Sequence, residues 1–148
     1  MKIYISRDAA ALSVGADRTA AAIADRARQL GQDLTIVRTG TRGMHWLEPL
    51  VEVQTPEGRM AYGPVSAADV AGLFDAGWLD GGEHALRLGP TEALPFLKNQ
   101  ARLTYARVGR IDPLSLDDYR AEGGLLGLER ALTMPPGDIV ATIDVAGL

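Results

Sequence analysis

The sequence predicts a mixed α/β fold in which helices cover a β-sheet, followed by a short-helical extension. Three observations predict it: a β-rich run at the start of the chain, an alanine-rich amphipathic segment after it, and a change to glycine- and proline-broken sequence beyond residue 80. Hydrophobic residues make up 47% and charged residues 23% of the 148 residues, as in ordinary globular chains. The chain is therefore long enough and apolar enough to form a core.

The first elements form a βαβ unit. Residues 2–5 are a β-rich run that predicts the first strand, and residues 34–37 predict the second. Between them, residues 17–30 have the 3.6-residue periodicity of a helix that ends before Gly31. The apolar stripe of this helix comprises Ala20, Ile23, Ala27 and Leu30. A strand, a helix and a second strand in this order favour a parallel pair.

A hairpin and a further helix follow. Residues 50–55 alternate as a strand, residues 56–58 supply turn chemistry, and residues 59–65 predict an antiparallel partner. Ser66 starts a helix that ends before Gly77, with Asp69 at the capping-box position. The order of strand, helix, strand, hairpin and helix is that of a thioredoxin-like domain, which we expect to span residues 1–80.

The rest of the chain predicts a connector and a helical tail. Residues 81–110 contain glycine and proline breaks without a sustained period, yet they carry apolar side chains that we expect to pack on something. Residues 111–148 predict three short helices, the first of which begins at Ser115 with Asp118 three residues later. The large apolar side chains of the connector are Leu94, Phe96, Leu97, Leu103, Tyr105 and Val108.

Charge and composition exclude several classes of partner. The net charge is −4 without a long block of either sign, which argues against nucleic acid. No apolar run reaches the roughly 18 residues of a membrane span, and the N-terminus lacks the pattern of a signal peptide. We therefore expect a cytoplasmic protein that binds neither nucleic acid nor membrane. The absence of cysteine removes disulfides, thiolate nucleophiles and the usual ligands of iron–sulfur sites.

No residue of the chain is predicted to be catalytic, cofactor-binding or metal-binding. His45 and His84 are far apart in sequence, and neither has a second ligand at metal-binding spacing, so a loop role explains both. Asp117 and Asp118 fit the first turn of a helix better than acid–base chemistry. No glycine cluster forms a phosphate-binding loop. Cap or turn roles explain the serines that lie at element ends, which are Ser6, Ser13, Ser66 and Ser115.

Residues 1–80 resemble the thioredoxin-like ferredoxin domains of complex I and its soluble relatives, in which two cysteine pairs hold a two-iron two-sulfur cluster. Gly15 and the strand LVEV set the register of this resemblance. It implies ligand positions at Ser6, Ala11, Thr41 and His45, none of which is cysteine. The resemblance thus implies a degenerate ferredoxin domain kept for docking, with Met44 and Trp46 filling the space of the missing cluster.

Residues 105–148, which include GRIDPLSLDDYRAEGGLLGLERAL, resemble the segment that leads into the flavin domain of the NADH-binding subunit of complex I. Together with MHWLEPLVEVQTPEGRMAYGPV, this segment most resembles the β subunit of NAD-dependent molybdenum or tungsten formate dehydrogenases. That subunit carries FMN, NAD and iron–sulfur clusters in a complex that converts formate and NAD to CO2 and NADH. The chain stops before the glycine-rich flavin loop of that family. We expect a shortened piece, a proteolytic fragment or a natural short protein.

The resemblance implies a structural, docking function without a redox centre. The expected partners are the remainder of its own subunit and the other formate dehydrogenase subunits, and the isolated chain is expected to dimerise through its connector and tail. The expected interface consists of Phe96, Leu103 and Tyr105.

Three alternatives stay open. The chain could be an independent protein-binding module of thioredoxin-like fold, which predicts a closed, polar surface. It could be the same region of an NAD-reducing hydrogenase or another complex I-like diaphorase. A metal or redox role for His45 would require carboxylates or a second imidazole beside it.

Overall fold

A computed structural model describes residues 1–148 and divides them into two compact units, Met1–Pro113 and Leu114–Leu148. The strands are β1 Lys2–Ser6, β2 Thr35–Thr39, β3 Val51–Thr55, β4 Gly58–Tyr62 and β5 Arg87–Pro90. The helices are α1 Ala9–Ser13, α2 Ala16–Gln29, α3 Val70–Asp75, α4 Pro95–Lys98, α5 Leu116–Ala121, α6 Leu126–Ala131 and α7 Pro136–Ala146.

The five strands form one mixed sheet in the order β2-β1-β3-β4-β5. β1 and β2 pair in parallel, as the predicted βαβ unit requires, whereas β1 with β3 and β3 with β4 are antiparallel. The order of the first four strands, followed by α3, is the topology of a thioredoxin-like domain. The α/β fold class and the hairpin predicted from the sequence are confirmed.

The main core lies between one face of the sheet and helices α2 and α3. Because side chains alternate along a strand, Ile3 and Ile5 of β1 point into this core together with Val51 and Val53 of β3. Thr19 of α2 is buried as well, and its hydroxyl donates to the carbonyl of Val65 over 2.9 Å. The predicted stripe of α2 is correct for Ala20, Ile23 and Ala27. It is wrong for Leu30, which is half exposed because the helix has already ended there.

Three aromatic side chains pack at one end of this core. Trp78 is fully buried, and its ring contacts Tyr62 and Phe74 edge-on at centroid distances of 5.6 Å. The hydroxyl of Tyr62 donates to the carbonyl of Gly82 over 2.8 Å. Such edge-on contacts stabilise a core beyond the area that they bury.

Several elements of the first unit were not predicted from the sequence. Residues 81–110 contribute strand β5, which pairs antiparallel with β4, and the one-turn helix α4. Helix α1 begins after Asp8, whose side chain accepts hydrogen bonds from the amides of Ala10 and Ala11. The expected boundaries at residues 80 and 110 stay predictions, and residues 81–110 lie within the first unit.

The second unit consists of α5, α6 and α7 joined by short turns. Ser115 caps α5 by accepting a hydrogen bond from the amide of Asp118, as the sequence predicts. No residue of this unit is buried. No helix of either unit has the length and apolar character needed to cross a lipid bilayer.

Candidate functional site

The four expected cluster-ligand positions lie where β1 and β2 end. Ser6 is the last residue of β1, opposite Thr39 of β2, and Ala11 lies in the helix that follows. Thr41 and His45 belong to the loop between β2 and β3, in which His45 begins a short 3-10 turn. The fold therefore brings the two halves of this region to the same end of the sheet.

Hydrogen bonds through Asp8 hold the first half. The hydroxyl of Ser6 donates to the Asp8 carboxylate over 2.7 Å and accepts from the Asp8 amide over 3.2 Å. The other Asp8 oxygen accepts from the amides of Ala10 and Ala11. This oxygen satisfies the free amides at the start of α1.

Glu48 organises the second half in a similar way. Its side chain accepts from the hydroxyl of Thr41 over 3.0 Å and from the amide of Leu50 over 2.9 Å, while the Thr41 hydroxyl accepts from the amide of Gly43. Burial raises the pKa of Glu48 above its ordinary value of 4.5, against the lowering effect of these hydrogen bonds. The nearby charge of Asp8 raises that pKa further, so the two halves interact electrostatically.

The donor groups at these positions do not fit an iron–sulfur cluster. Such a cluster is held by thiolates, with imidazole as an occasional replacement. Ser6 and Thr41 offer hydroxyls that are already hydrogen-bonded, Ala11 offers no donor atom, and His45 is exposed. No group of three His, Asp or Glu side chains is arranged to bind a metal ion. His84 is half buried, and its Nδ1 accepts from the amide of Leu86.

Met44 and Trp46 differ in burial. Met44 is buried in a second apolar cluster with Leu50, Ala61 and Leu97. Trp46 is 63% exposed and contacts only one ring, that of Phe96, edge-on at 5.4 Å. The expectation that both side chains fill space at the ligand positions is wrong for Trp46, because its short turn presents it at the surface.

A buried ion pair lies on the face of the sheet opposite the main core. Arg42 binds Glu52 of β3 through two parallel hydrogen bonds, Nε to Oε1 and Nη2 to Oε2, both of 2.8 Å. The side chains are only 3% and 4% exposed. Nη1 of Arg42 also donates to Glu92 over 3.1 Å. This two-bond geometry is the strongest that an arginine and a carboxylate can form.

The carboxylates that pair with Arg42 keep its guanidinium protonated. Burial alone would lower the pKa of Arg42, but the hydrogen bond and charge of Glu52, together with Glu92, outweigh burial and raise it above its ordinary value. Arg42 thus stays a cation beneath residues 101–110, the covering segment, of which Gly109 lies against its side chain.

Arg59 of β4 fastens this covering segment to the sheet. Its guanidinium donates to the carbonyls of Gly109 and Arg110 over 3.1 and 2.6 Å and lies 3.3 Å from the ring centroid of Tyr4. Gly109 has φ +76°, and a Cβ there would collide with the side chain of Arg42. The chain reverses here because glycine permits both the backbone angle and the close approach.

The covering segment forms an open groove with the loop that carries Arg42. The groove has a volume of about 690 Å³, and its lining includes Phe96, Leu103, Tyr105 and Val108. Leu103 is 92% exposed and Tyr105 is 68% exposed, so large apolar side chains of the groove are exposed to solvent. The basic side chain of Arg102 also lines the groove. A surface of this kind suits a partner with apolar side chains and carboxylates.

The three expected interface residues therefore line one groove, although their role as an interface stays a prediction. Sequence reasoning missed Arg42, Glu52 and Arg59. The only available signal was Glu52 within an alternating strand, and alternation alone places it on a solvent-facing side.

Comparison with known proteins gives one local sequence relationship. The chain is 43% identical over 51 residues to subunit HndC of an NADP-reducing hydrogenase from Solidesulfovibrio fructosivorans. The match covers 34% of this chain and 10% of that subunit, so the chain spans only a small part of its relative. No protein-family model matches the sequence.

Solved structures that resemble the chain include thioredoxin-like [2Fe-2S] ferredoxins from Aquifex aeolicus. The wild-type ferredoxin is 20% identical, with 60% of this chain and 95% of that chain covered and a TM-score of 0.48. A cysteine-to-serine variant is also 20% identical, with 60% and 97% covered and a TM-score of 0.49. The thioredoxin-like topology of this chain is established by its strand order and pairing.

Proposed function

We propose that this chain is a docking domain, without a redox centre of its own, from the NADH-oxidising β subunit of a cytoplasmic NAD-dependent formate dehydrogenase. The groove lined by Phe96, Leu103 and Tyr105 carries the proposal, because exposed apolar groups on a fastened segment are typical of a surface that a partner covers. An independent module with a closed, polar surface would not present it.

The chemistry of the ligand positions supports the same function. Ser6, Ala11, Thr41 and His45 offer no thiolate, and the two hydroxyls are engaged by Asp8 and Glu48. A domain of this topology that lacks ligands can still serve as a rigid body between the parts of a complex. In the proposed parent complex, electrons would pass from formate to FMN and NAD through centres held elsewhere.

A second candidate is the corresponding region of a hydrogenase diaphorase subunit. The 51-residue match to a subunit of an NADP-reducing hydrogenase favours it specifically. Both candidates assign the same docking role to this chain and differ in the complex that it joins.

The absence of a redox centre is tested on the purified chain. We expect a colourless protein without iron that neither binds FMN nor reduces a dye with NADH. The measurements are an absorbance spectrum, metal analysis and a flavin-binding titration. Bound iron, bound flavin or NADH-dependent dye reduction would show that the chain is more than a docking domain.

The docking role is tested by binding. The purified chain would be immobilised and exposed to the flavin-carrying part of a formate dehydrogenase β subunit, and separately to that of the hydrogenase subunit. We expect binding to the first, weakened by Leu103→Glu and unchanged by Leu30→Glu, which adds the same charge at another exposed leucine. Binding to the hydrogenase protein alone would favour the second candidate, and binding to neither would reject the docking role.

A further inference from the structure

The second unit has no interior of its own. None of its residues is buried, and the exposed side chains of α7 include Val140, Ile143 and Val145. The unit spans only Leu114–Leu148. Chains of fewer than roughly 40 residues seldom form a sufficient core without a metal, a disulfide or a partner. Its helices are also too short to be stable alone in water. Stability of this unit therefore requires another surface.

Helix α7 combines an apolar face with negative charge. Ile139, Val140 and Ile143 lie on one side of the helix, and Asp144 borders that side. Asp138 adds a second carboxylate in the first turn, and the helix contains no basic residue. The surface that covers α7 should consequently be apolar and positively charged.

The groove of the first unit has this complementary character. Its lining residues all belong to the first unit, and Leu103 and Tyr105 project from it. The basic side chain of Arg102 lines the groove, where it donates to the carbonyl of Arg42 over 3.0 Å. Arg42 also lines the groove, but Glu52 and Glu92 balance its charge there.

We propose that the groove of one copy binds helix α7 of a second copy, so that two copies form a reciprocal dimer. The apolar face of α7 would cover Leu103 and Tyr105, and the carboxylate of Asp144 would approach Arg102. An amphipathic helix in an apolar groove is a common recognition mode, and reciprocal exchange gives the two-fold symmetry of most dimers. This inference goes beyond the proposed function, because it concerns the chain without the rest of its complex, when the groove is free for an occupant that the chain itself supplies.

Sedimentation velocity of the full chain over a range of concentration and salt tests the proposal. We expect a dimer whose dissociation constant rises with salt, because part of the attraction is between exposed charges. Leu103→Glu in the groove and Asp144→Lys in α7 should each weaken dimerisation by about tenfold or more. The matched controls are Leu30→Glu and Asp33→Lys, which make the same changes at exposed positions outside both surfaces.

Mixing the two variants gives a sharper result. Each homodimer then has two damaged contacts, whereas the heterodimer keeps one contact between an unchanged groove and an unchanged α7. A contact broken by one substitution loses little more from the second. The mixture should therefore form heterodimers more readily than either variant forms homodimers. A wild-type chain that stays monomeric at every concentration would overturn the proposal. So would a dimer that neither substitution weakens, because it would use another surface. Neither result bears on the test for iron and flavin.

Discussion

Arg42 and Glu52 form a buried ion pair with two hydrogen bonds, and removing one member leaves the other charged and poorly solvated. Arg42→Met should therefore lower the free energy of unfolding by about 3 kcal/mol, the lower end of the usual range, because Arg59 still pairs with Glu52 over 3.4 Å. The measurement is urea denaturation followed by circular dichroism.

The double variant Arg42→Met, Glu52→Leu provides the control. We expect it to recover much of the lost stability, because Arg59 is partly solvated and no unpaired carboxylate remains on the sheet. A double variant as unstable as the sum of the single changes would contradict this account of the pair.

Glu48 gives a prediction about pH. Because its pKa is raised in the folded protein, the folded state binds the proton more tightly than the unfolded state does. Its contribution to stability is present below the ordinary value of 4.5 and is lost as pH rises through the raised pKa. The stability of the wild type relative to Glu48→Gln should fall over this window.

Unfolding free energies of both proteins at a series of pH values measure this difference. Glu57→Gln, which makes the same substitution at an exposed carboxylate in the turn between β3 and β4, is the matched control. A constant difference between wild type and Glu48→Gln across the window would contradict the assigned pKa shift.

The segment that contains residues 101–110 has little regular structure and depends on side chains of the sheet for its position. Arg59 supplies two of these attachments through the carbonyls of Gly109 and Arg110. Arg59→Met should increase the hydrogen-exchange rate of amides in this segment by about tenfold, since hydrogen bonds to a charged group contribute about 1.5 to 3 kcal/mol.

The comparison variant is Arg26→Met, which removes an arginine that pairs with the exposed Asp75. It should leave exchange in residues 101–110 at the wild-type rate. Equal exchange in wild type and Arg59→Met would show that other contacts, such as the bond from Arg102 to the carbonyl of Arg42, hold the segment.

The two units should differ in stability, because only the first has buried residues. In dilute solution, amides of α5, α6 and α7 should exchange with solvent far faster than those of β1 and β3. Hydrogen exchange with mass spectrometry of the full chain measures both units in one experiment. Equal protection of Leu114–Leu148 and of the sheet would mean that the second unit is stable without a partner.

Most of the element order follows from local pattern. Short stretches of sequence are enough to predict several features. These are the 3.6-residue period of α2, the alternation in β1 and β3, and the turn at Gly58, which has φ +124°. The caps at Ser66 and Ser115 were also predictable, because each involves a partner three residues away. The lack of cysteine excluded thiolate ligands without any structure.

Other features depend on residues that are distant in sequence and meet only in the fold. Strand β5 contains Gly89 and Pro90, which argue against a strand, and it forms because the edge of β4 was open for pairing. Glu52 is buried although alternation places it on a solvent-facing side, because the side chains of Arg42 and Arg59 bond to it there.

The groove also depends on residues that are distant in sequence and meet only in the fold. Its walls come from residues 41–43 and 96–108, which no periodic pattern connects. The sequence by itself thus determined the elements, their order and the absence of cluster ligands, since these rest on local interactions and composition. Only the tertiary structure decided the buried ion pair, the covering segment and the groove, since each requires contacts between residues whose proximity is set by the packing of the whole unit.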